Sequence, residues 1–131
     1  MNLQEHLSRY NHDEELKGHL ESVVNFILNE TDVEMDFSKS YISFKIPGNG
    51  IWAWIDTQKG SNMYKLHFKN RYLGQHEIEN LQLDIKGIEI NTGNKDFLKL
   101  NIYKNFDYTQ PGFTGFIKEH YQKYRRHKEE G

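Results

Sequence analysis

Apolar residues near both ends of the chain recur with the spacing of an α-helix. Over residues 13–29 they follow one another at intervals of three and four, which predicts a helix. Asn11 or Asp13 supplies an oxygen that can accept a hydrogen bond from a free amide of the first turn. A second helix is predicted over residues 111–126, where Pro111 suits the first turn because its missing amide needs no partner.

The middle of the chain instead alternates apolar and polar residues, which is the period of a half-buried β-strand. The strongest turn between these runs is Pro47-Gly48-Asn49-Gly50, because proline presets one backbone dihedral and glycine or asparagine accepts a positive φ. One helical turn is predicted over residues 76–81. The predicted strands cover residues 33–37, 41–46, 51–57, 63–68, 83–90 and 97–103.

These elements predict an α+β fold, with an antiparallel β-sheet of about five to six strands and an N-terminal and a C-terminal helix packed on one face. Strands that follow one another through short turns pair as an antiparallel meander. The chain has 131 residues, so residues 1–131 are predicted to form a single domain. Within it, residues 1–12 are expected to be flexible or a short helix, and residues 127–131 to fray.

Composition removes several classes of protein from consideration. The chain has no cysteine, which excludes disulfide scaffolds, thiolate metal sites and cysteine nucleophiles and fits a cytoplasmic location. No apolar run approaches the roughly 20 residues of a membrane-spanning helix, and the polar, acidic N-terminus is unlike a signal peptide. The formal net charge is −2 with both signs mixed along the chain, so bulk charge does not predict a nucleic-acid partner.

The third predicted strand carries the two tryptophans. Strict alternation places Trp52 and Trp54 on the same face of the sheet, opposite Ile51, Ala53 and Ile55. That face is either core, which suits the size of the rings, or an exposed aromatic platform. An exposed platform would stack nucleic-acid bases or form the hot spot of a protein interface. If the aliphatic residues of the neighbouring strands face the helices, the opposite face presents Tyr41, Lys45, Lys65 and His67.

Basic residues near the end of the C-terminal helix form a second candidate site. Lys123, Arg125 and Arg126 favour the negative end of the helix dipole, so stabilisation of the helix is one interpretation. The other is a set of phosphate contacts completed by Lys69 and Arg71. The predicted binding residues are therefore Tyr41, Lys45, Trp52, Trp54, Lys65, His67, Lys69, Arg71, Lys123, Arg125 and Arg126.

One pattern indicates metal-dependent chemistry. Asp84-Ile85-Lys86 has the acid-x-Lys spacing of restriction-type nucleases, and Asp84 and Lys86 would share a face of a strand. Asp56 is the candidate second carboxylate for Mg²⁺. The simpler interpretation is a solvated strand face with an ion pair, so we predict no catalytic residue, metal or cofactor. The histidines lack the paired spacing of a zinc site: His6, His12, His19, His67, His76, His120 and His127.

A series of short segments, spread over residues 13–124, resembles a known family. They are Tyr41-Ile42-Ser43-Phe44-Lys45, Ile55-Asp56-Thr57-Gln58-Lys59-Gly60, Tyr64-Lys65-Leu66 and Asp107-Tyr108. The chain resembles a small α+β domain family of unknown function, labelled a predicted transport protein, which also occurs appended to restriction-type proteins. It departs from that family in its longer segment 74–79 and in Pro111-Gly112. The resemblance implies a setting near nucleic acids and assigns no reaction.

Together these observations favour a non-catalytic binding module rather than an enzyme. It would engage nucleic acid or a nucleoprotein complex, in restriction or phage defence, through the sheet face and the basic C-terminal helix. The alternative is a protein-interaction domain without nucleic-acid contact, either a regulator or inhibitor or a homodimer. The acidic first half of the chain and the net charge of −2 favour that alternative. A Mg²⁺-dependent nuclease is a distant third.

Overall fold

Six antiparallel strands form one sheet in the computed structural model, which describes residues 1–70, 73–91 and 96–130. The strands are β1 (Glu34–Phe37), β2 (Tyr41–Ile46), β3 (Gly50–Asp56), β4 (Met63–Lys69), β5 (Ile90–Asn91) and β6 (Phe97–Tyr103). The helices are α1 (Leu3–Ser8), α2 (Glu14–Glu30), α3 (Gln75–Asp84) and α4 (Pro111–Glu130). The predicted α+β fold with its antiparallel sheet is confirmed.

The two long helices begin where the sequence predicts. Asp13 caps α2, since its side chain accepts a hydrogen bond from the amide of Leu16 at 3.2 Å. Pro111 opens α4, which continues to Glu130, past the predicted end at residue 126. The first residues form the short helix α1. Among the described residues, no helix combines the length and apolar character needed to cross a membrane.

Both long helices pack on one face of the sheet, which we call the core face. The ring of His19 on α2 is hydrogen-bonded to the hydroxyl of Tyr64 and to the carbonyl oxygen of Phe106, both at 2.7 Å. Phe68 of β4 meets Phe116 of α4 edge to face, with ring centroids 5.3 Å apart. The fully buried residues of this face include Ile42, Phe44, Ile55, Tyr64, Leu66, Phe68, Leu100 and Ile102.

The alternate positions of the four central strands point away from the helices, and we call this side of the sheet the outer face. Its register follows from cross-strand pairs such as Trp54 with His67 and Lys65 with Asn101. The outer face consists of Tyr41, Ser43, Lys45, Ile51, Trp54, Asp56, Met63, Lys65, His67, Lys69, Phe97, Lys99, Asn101 and Tyr103.

A β-bulge in β3 separates the two tryptophans. Ala53 pairs with Phe44 of β2, and Ile51 pairs with the next residue of β2, so Trp52 is an extra residue in the register. The bulge turns Trp52 to the core face beside Ala53, where it is fully buried, while Trp54 is half-buried on the outer face. The prediction that both rings share a face is therefore wrong, because the alternation restarts at the bulge.

The segment after β4 also departs from the prediction. Where the sequence predicts one helical turn over residues 76–81, the structure has the ten-residue helix α3. The prediction of a strand over residues 83–90 is wrong, because α3 continues to Asp84 and β5 begins only at Ile90. Leu83 is 67% exposed, while Ile85 and Ile88 are buried, so the apolar residues of this segment do not alternate between two faces. The chain pairs with the sheet only at β5, an edge strand, and β6 then inserts between β5 and β4.

Gly112, in the first turn of α4, allows the end of α3 to approach closely. A Cβ built on Gly112 would lie 2.2 Å from the backbone oxygen of Asp84. We expect Gly112→Ala to lower the free energy of unfolding by about 1–3 kcal/mol in urea denaturation, because one backbone must shift. The control is Gly115→Ala on the same helix, where a Cβ meets nothing within 4 Å and helix propensity favours alanine. Equal destabilisation by both substitutions would contradict this packing.

Candidate functional site

Three aromatic side chains, which we call the aromatic stack, lie at the centre of the outer face. Trp54 is opposite His67 in the register, with ring centroids 4.9 Å apart and an interplanar angle of 4°. Phe97 of β6 meets both rings edge-on, at 5.6 Å from Trp54 and 6.0 Å from His67. On its β2 side Trp54 pairs with Ser43, whose short side chain cannot cover an indole ring. The stacked rings of Trp54 and His67 therefore cover each other on one side, and the ring face of Trp54 towards β2 is left open.

Lysines flank the aromatic stack. Lys65 is two residues before His67 on β4, and Lys99 is the cross-strand neighbour of His67 on β6. Neither lysine forms a salt bridge with any carboxylate in the described part of the chain. Lys45, nearer the β1 edge, lies 3.7 Å from Asp36. Lys65 and Lys99 thus stand beside the stack outside any salt bridge within the described residues, with Asp56 as the cross-strand neighbour of Lys65.

The imidazole of His67 is mostly neutral near pH 7, and one of its two nitrogens lacks a hydrogen-bond partner among the described residues. Burial lowers the pKa of His67; Asp56 opposes this shift, while Lys99 and Lys65 add to it. Its Nδ1 has no hydrogen-bond partner among the described residues, and neither has the buried Oδ1 of Asn101 on β6. A buried polar atom without a partner costs about 1–3 kcal/mol. Both atoms are closed off from the surface, so they add no hydrogen-bonding group to the outer face.

The outer face also carries two exposed tyrosines. Tyr41 on β2 is 41% exposed and Tyr103 on β6 is 42% exposed, although large hydrophobic side chains elsewhere are mostly covered. Tyr41 neighbours Asp56 in the register, and Tyr103 neighbours Met63, so the two rings lie towards the same end of the sheet. Aromatic surface therefore extends from the stack towards both sides of the outer face.

Part of the predicted site is found on this surface. Trp52 is not, because it is fully buried and its Nε1 donates a hydrogen bond to Nδ1 of His120 at 3.0 Å. Its prediction as a binding residue is thus corrected. Arg71 lies outside the described residues. Six of the predicted binding residues do lie on the outer face: Tyr41, Lys45, Trp54, Lys65, His67 and Lys69.

The basic residues of the C-terminal helix do not join this surface. Lys123, Arg125 and Arg126 belong to α4, which packs on the core face, so the sheet separates them from the aromatic stack. Lys123 lies 2.8 Å from Glu119, and the guanidinium of Arg125 is paired with the carboxylate of Asp32. The predicted combined surface of sheet and helix is therefore corrected to two separate regions.

The metal site of the distant nuclease alternative is not assembled either. Asp84 ends α3 and Lys86 follows it, so neither residue belongs to a strand. Asp84 borders a cleft of about 380 Å³ between α3 and α4, whereas Asp56 lies on the outer face of β3. Across residues 1–70, 73–91 and 96–130, no group of three or more His, Asp or Glu side chains is arranged to hold a metal ion.

Sequence reasoning missed the contribution of β6. Phe97, Lys99, Asn101 and Tyr103 alternate along that strand and line one side of the outer face. The alternation along this segment is visible in the sequence and predicts the strand over residues 97–103. The missing information was the strand order, since chain order alone does not place β6 beside β4.

Comparison with known proteins adds no relative. No family model matches the chain, and neither a curated protein nor a solved structure matches it. The resemblance to the family labelled a predicted transport protein therefore stays a prediction. The geometry of the outer face is the basis on which a function can be inferred.

Proposed function

We propose that the chain is a non-catalytic module that binds single-stranded nucleic acid on its outer face. The aromatic stack carries this proposal: Trp54 lies parallel to His67 on the side of the sheet opposite α2 and α4. Aromatic side chains on an open sheet are a recurrent means of holding unpaired bases. Of the two tryptophans, Trp52 is buried in the core and Trp54 is not.

A broad sheet face suits unpaired bases better than a duplex. Unpaired bases can lie flat against aromatic rings, and each such contact contributes about 1–3 kcal/mol. The bases of a duplex are already stacked, and their edges are read by a helix or a two-stranded ribbon that enters a groove. The outer face spans four strands, and the two long helices α2 and α4 lie on the other side of the sheet, so the face is open to a single strand.

The local charge of the outer face also suits a phosphate backbone, although the net charge of the chain is −2. Lys45, Lys65, Lys69 and Lys99 occupy outer-face positions on the four central strands, where Asp56 is the acidic residue among those described, while Glu34 and Asp36 of β1 lie beside Lys45 and Ser43 on the same side of the sheet. Lysines placed beside a stacking surface neutralise phosphates and release counterions, which makes binding depend on salt. Carboxylates that lie further than about a Debye length from these lysines are largely screened by salt. They therefore do not cancel the positive charge that a phosphate would meet at the outer face.

The biological setting of this activity is part of the same proposal. The absence of cysteine suits a reducing cytoplasm, and the resemblance to domains appended to restriction-type proteins suits a role in phage defence. In that setting the module would deliver a partner protein to unpaired DNA or RNA. Its own residues supply recognition and no reaction.

Titration with a fluorescent single-stranded oligonucleotide tests the proposal. We expect Trp54→Ala to weaken binding by at least about tenfold, because a base loses its stacking surface. Lys99→Ala should weaken binding at low salt and reduce the slope of log K against log salt by about 0.7. The matched control is Lys118→Ala on α4, whose exposed pair with Glu30 lies across the sheet and should leave binding unchanged.

Two outcomes would overturn the proposal. Undetectable binding of every single-stranded DNA and RNA at low salt would reject nucleic acid as the ligand. A loss of binding in Lys118→Ala equal to that in Lys99→Ala would reject the outer face as the site.

Concentration-dependent association that Tyr41→Ala abolishes in light scattering would instead assign the face to a second copy of the chain, since exposed tyrosines also dominate protein interfaces.

A further inference from the structure

A cleft of about 380 Å³ lies between α3 and α4, on the opposite side of the sheet from the aromatic stack. The two helices meet at one end of it, where the backbone oxygen of Asp84 lies 2.2 Å from the position of a Cβ on Gly112. The side chain of Gln110 fixes the same end, because it accepts a hydrogen bond from the amide of Lys86 at 2.8 Å and donates one to its carbonyl oxygen at 2.9 Å. Pockets for small molecules typically have volumes above roughly 300 Å³.

The wall that α3 contributes to the cleft is acidic towards both ends and apolar in the middle. Glu77, Leu81 and Asp84 are spaced by four and three residues, so they share one side of the helix. Glu77 lies in the first turn of α3, and Asp84 is its last residue. Gly115 and Phe116 of α4 also line the cleft and add apolar surface. The cleft is therefore an apolar trough with a carboxylate towards each end.

The carboxylates of the cleft outnumber its cations. Glu119 and Lys123, which line it from α4, form an ion pair at 2.8 Å. Neither Glu77 nor Asp84 forms a salt bridge within residues 1–70, 73–91 and 96–130. Asp84 also ends a helix, where the negative end of the helix dipole disfavours a carboxylate. A bound cation would offset the negative charge at both places.

We propose that this cleft binds a linear aliphatic polyamine, at a site separate from the proposed nucleic-acid surface. Two separated carboxylates call for two ammonium groups, and the apolar middle calls for the methylene chain that joins them. A metal ion would leave the apolar middle unused, and a monoamine would leave one carboxylate without a cation. A basic peptide fits less well, because the cleft has the size of one small molecule and a stable protein interface buries roughly 800 Å² on each partner.

The length of the trough selects among amines. Glu77 and Asp84 are seven residues apart, which separates their Cα atoms by roughly 10 Å along the helix. The Oε2 atom of Glu77 lies 2.9 Å from the position of a Cβ on Gly74, so this carboxylate turns back towards the start of α3. An extended aliphatic chain advances about 1.2 Å per bond, as an extended peptide does, so the nine bonds between the terminal nitrogens of diaminooctane span roughly 11 Å. The five bonds of putrescine span roughly 6 Å, which is too short to reach both carboxylates.

Isothermal titration calorimetry of the protein alone, at low salt, tests the inference with three amines. Putrescine matches diaminooctane in charge, and octylamine matches it in chain length. We expect diaminooctane to bind at least about tenfold more tightly than either, because it alone can meet both carboxylates. Glu77→Gln and Asp84→Asn should each weaken its binding by about tenfold. The fold should tolerate Asp84→Asn, since this substitution removes a charge that the helix end disfavours.

Further variants locate the ligand. Gly115→Leu keeps every charge but fills the cleft, because a Cβ on Gly115 meets nothing within 4 Å, and it should weaken diaminooctane binding by about tenfold or more. Lys123→Ala should strengthen binding severalfold, because Glu119 loses its cation. The matched control is Glu79→Gln, which removes a charge from α3 away from the cleft and should leave the affinity unchanged.

Three results would overturn the polyamine site. Equal affinity for diaminooctane and putrescine, or equal weakening by Glu79→Gln and Glu77→Gln, would show a general attraction to carboxylates. Unchanged affinity in Gly115→Leu would place the amine outside the cleft, and no binding of any amine would reject the ligand. Circular dichroism of each variant checks that the fold is retained. None of these results bears on the oligonucleotide titration, because the outer face contributes no residue to the cleft.

Discussion

Trp52→Ala should lower the free energy of unfolding by about 3–5 kcal/mol, whereas Trp54→Ala should lower it by about 1–2 kcal/mol. Trp52 is fully buried, with its ring centroid 5.4 Å from that of Phe68 and 5.1 Å from that of Tyr121. Truncation would leave a large cavity. It would also remove the indole N–H that donates a hydrogen bond to Nδ1 of His120. Trp54 is half-buried, so water can fill the space that its ring leaves.

Urea denaturation of the two variants measures this contrast directly. Trp52→Phe is the informative intermediate, because it keeps a buried six-membered ring while it removes the indole N–H and part of the ring volume, and it should cost about 1–3 kcal/mol. The oligonucleotide titration should show the reverse order, with Trp54→Ala impaired and Trp52→Phe close to wild type. A larger loss of stability from Trp54→Ala than from Trp52→Ala would show that the bulge does not turn the rings to opposite faces.

The contrast between these two residues also shows where the sequence stops being informative. The run from Ile51 to Ile55 alternates without a break, and nothing in its residue types marks an extra residue at Trp52. A bulge depends on how β3 registers against β2, and that register is a property of two strands rather than one. Local periodicity therefore predicts that β3 is a strand, and it misplaces one of the two largest side chains on it.

The helices and the meander were predictable because each depends on neighbouring residues. The cap at Asp13 and the proline at residue 111 mark helix starts through local geometry, and the glycines of the turn after Ile46 have positive φ angles of 81° and 87°. The candidate site depends on longer-range order. It was predicted only in part, since Tyr41 and Lys65 lie on strands joined by short turns, while Lys99 reaches the site only through the insertion of β6.

His120 should make the protein less stable as the pH falls below neutrality. Burial lowers the pKa of His120 to about 4, with a smaller contribution from Lys123. The indole of Trp52 can only donate, so the Nδ1 atom of His120 must be unprotonated to accept this hydrogen bond. Protonation of Nδ1 would place its N–H against the indole N–H of Trp52. The loss of this hydrogen bond therefore lowers the pKa of His120, in the same direction as burial does.

The sign of the effect follows from the two pKa values. Above the unfolded-state value of about 6.5, His120 is neutral in both states and contributes no pH dependence. Between pH 6.5 and about 4, the unfolded state binds a proton that the folded state does not, so the free energy of unfolding falls as the pH is lowered. The full difference corresponds to about 3 kcal/mol. His6 and His67 also have pKa values lowered by burial, so their contributions have the same sign.

His120→Asn isolates this contribution, because the Oδ1 atom of asparagine can take the place of Nδ1 as acceptor for Trp52 and does not titrate. We expect the variant to lose less stability than the wild type between pH 7 and pH 4, by about 3 kcal/mol, in urea denaturation at a series of pH values. The control is His76→Asn on α3, whose ring is exposed and whose substitution should leave the pH dependence as in the wild type. Parallel stability curves for His120→Asn and the wild type would show that a group other than His120 causes the acid sensitivity.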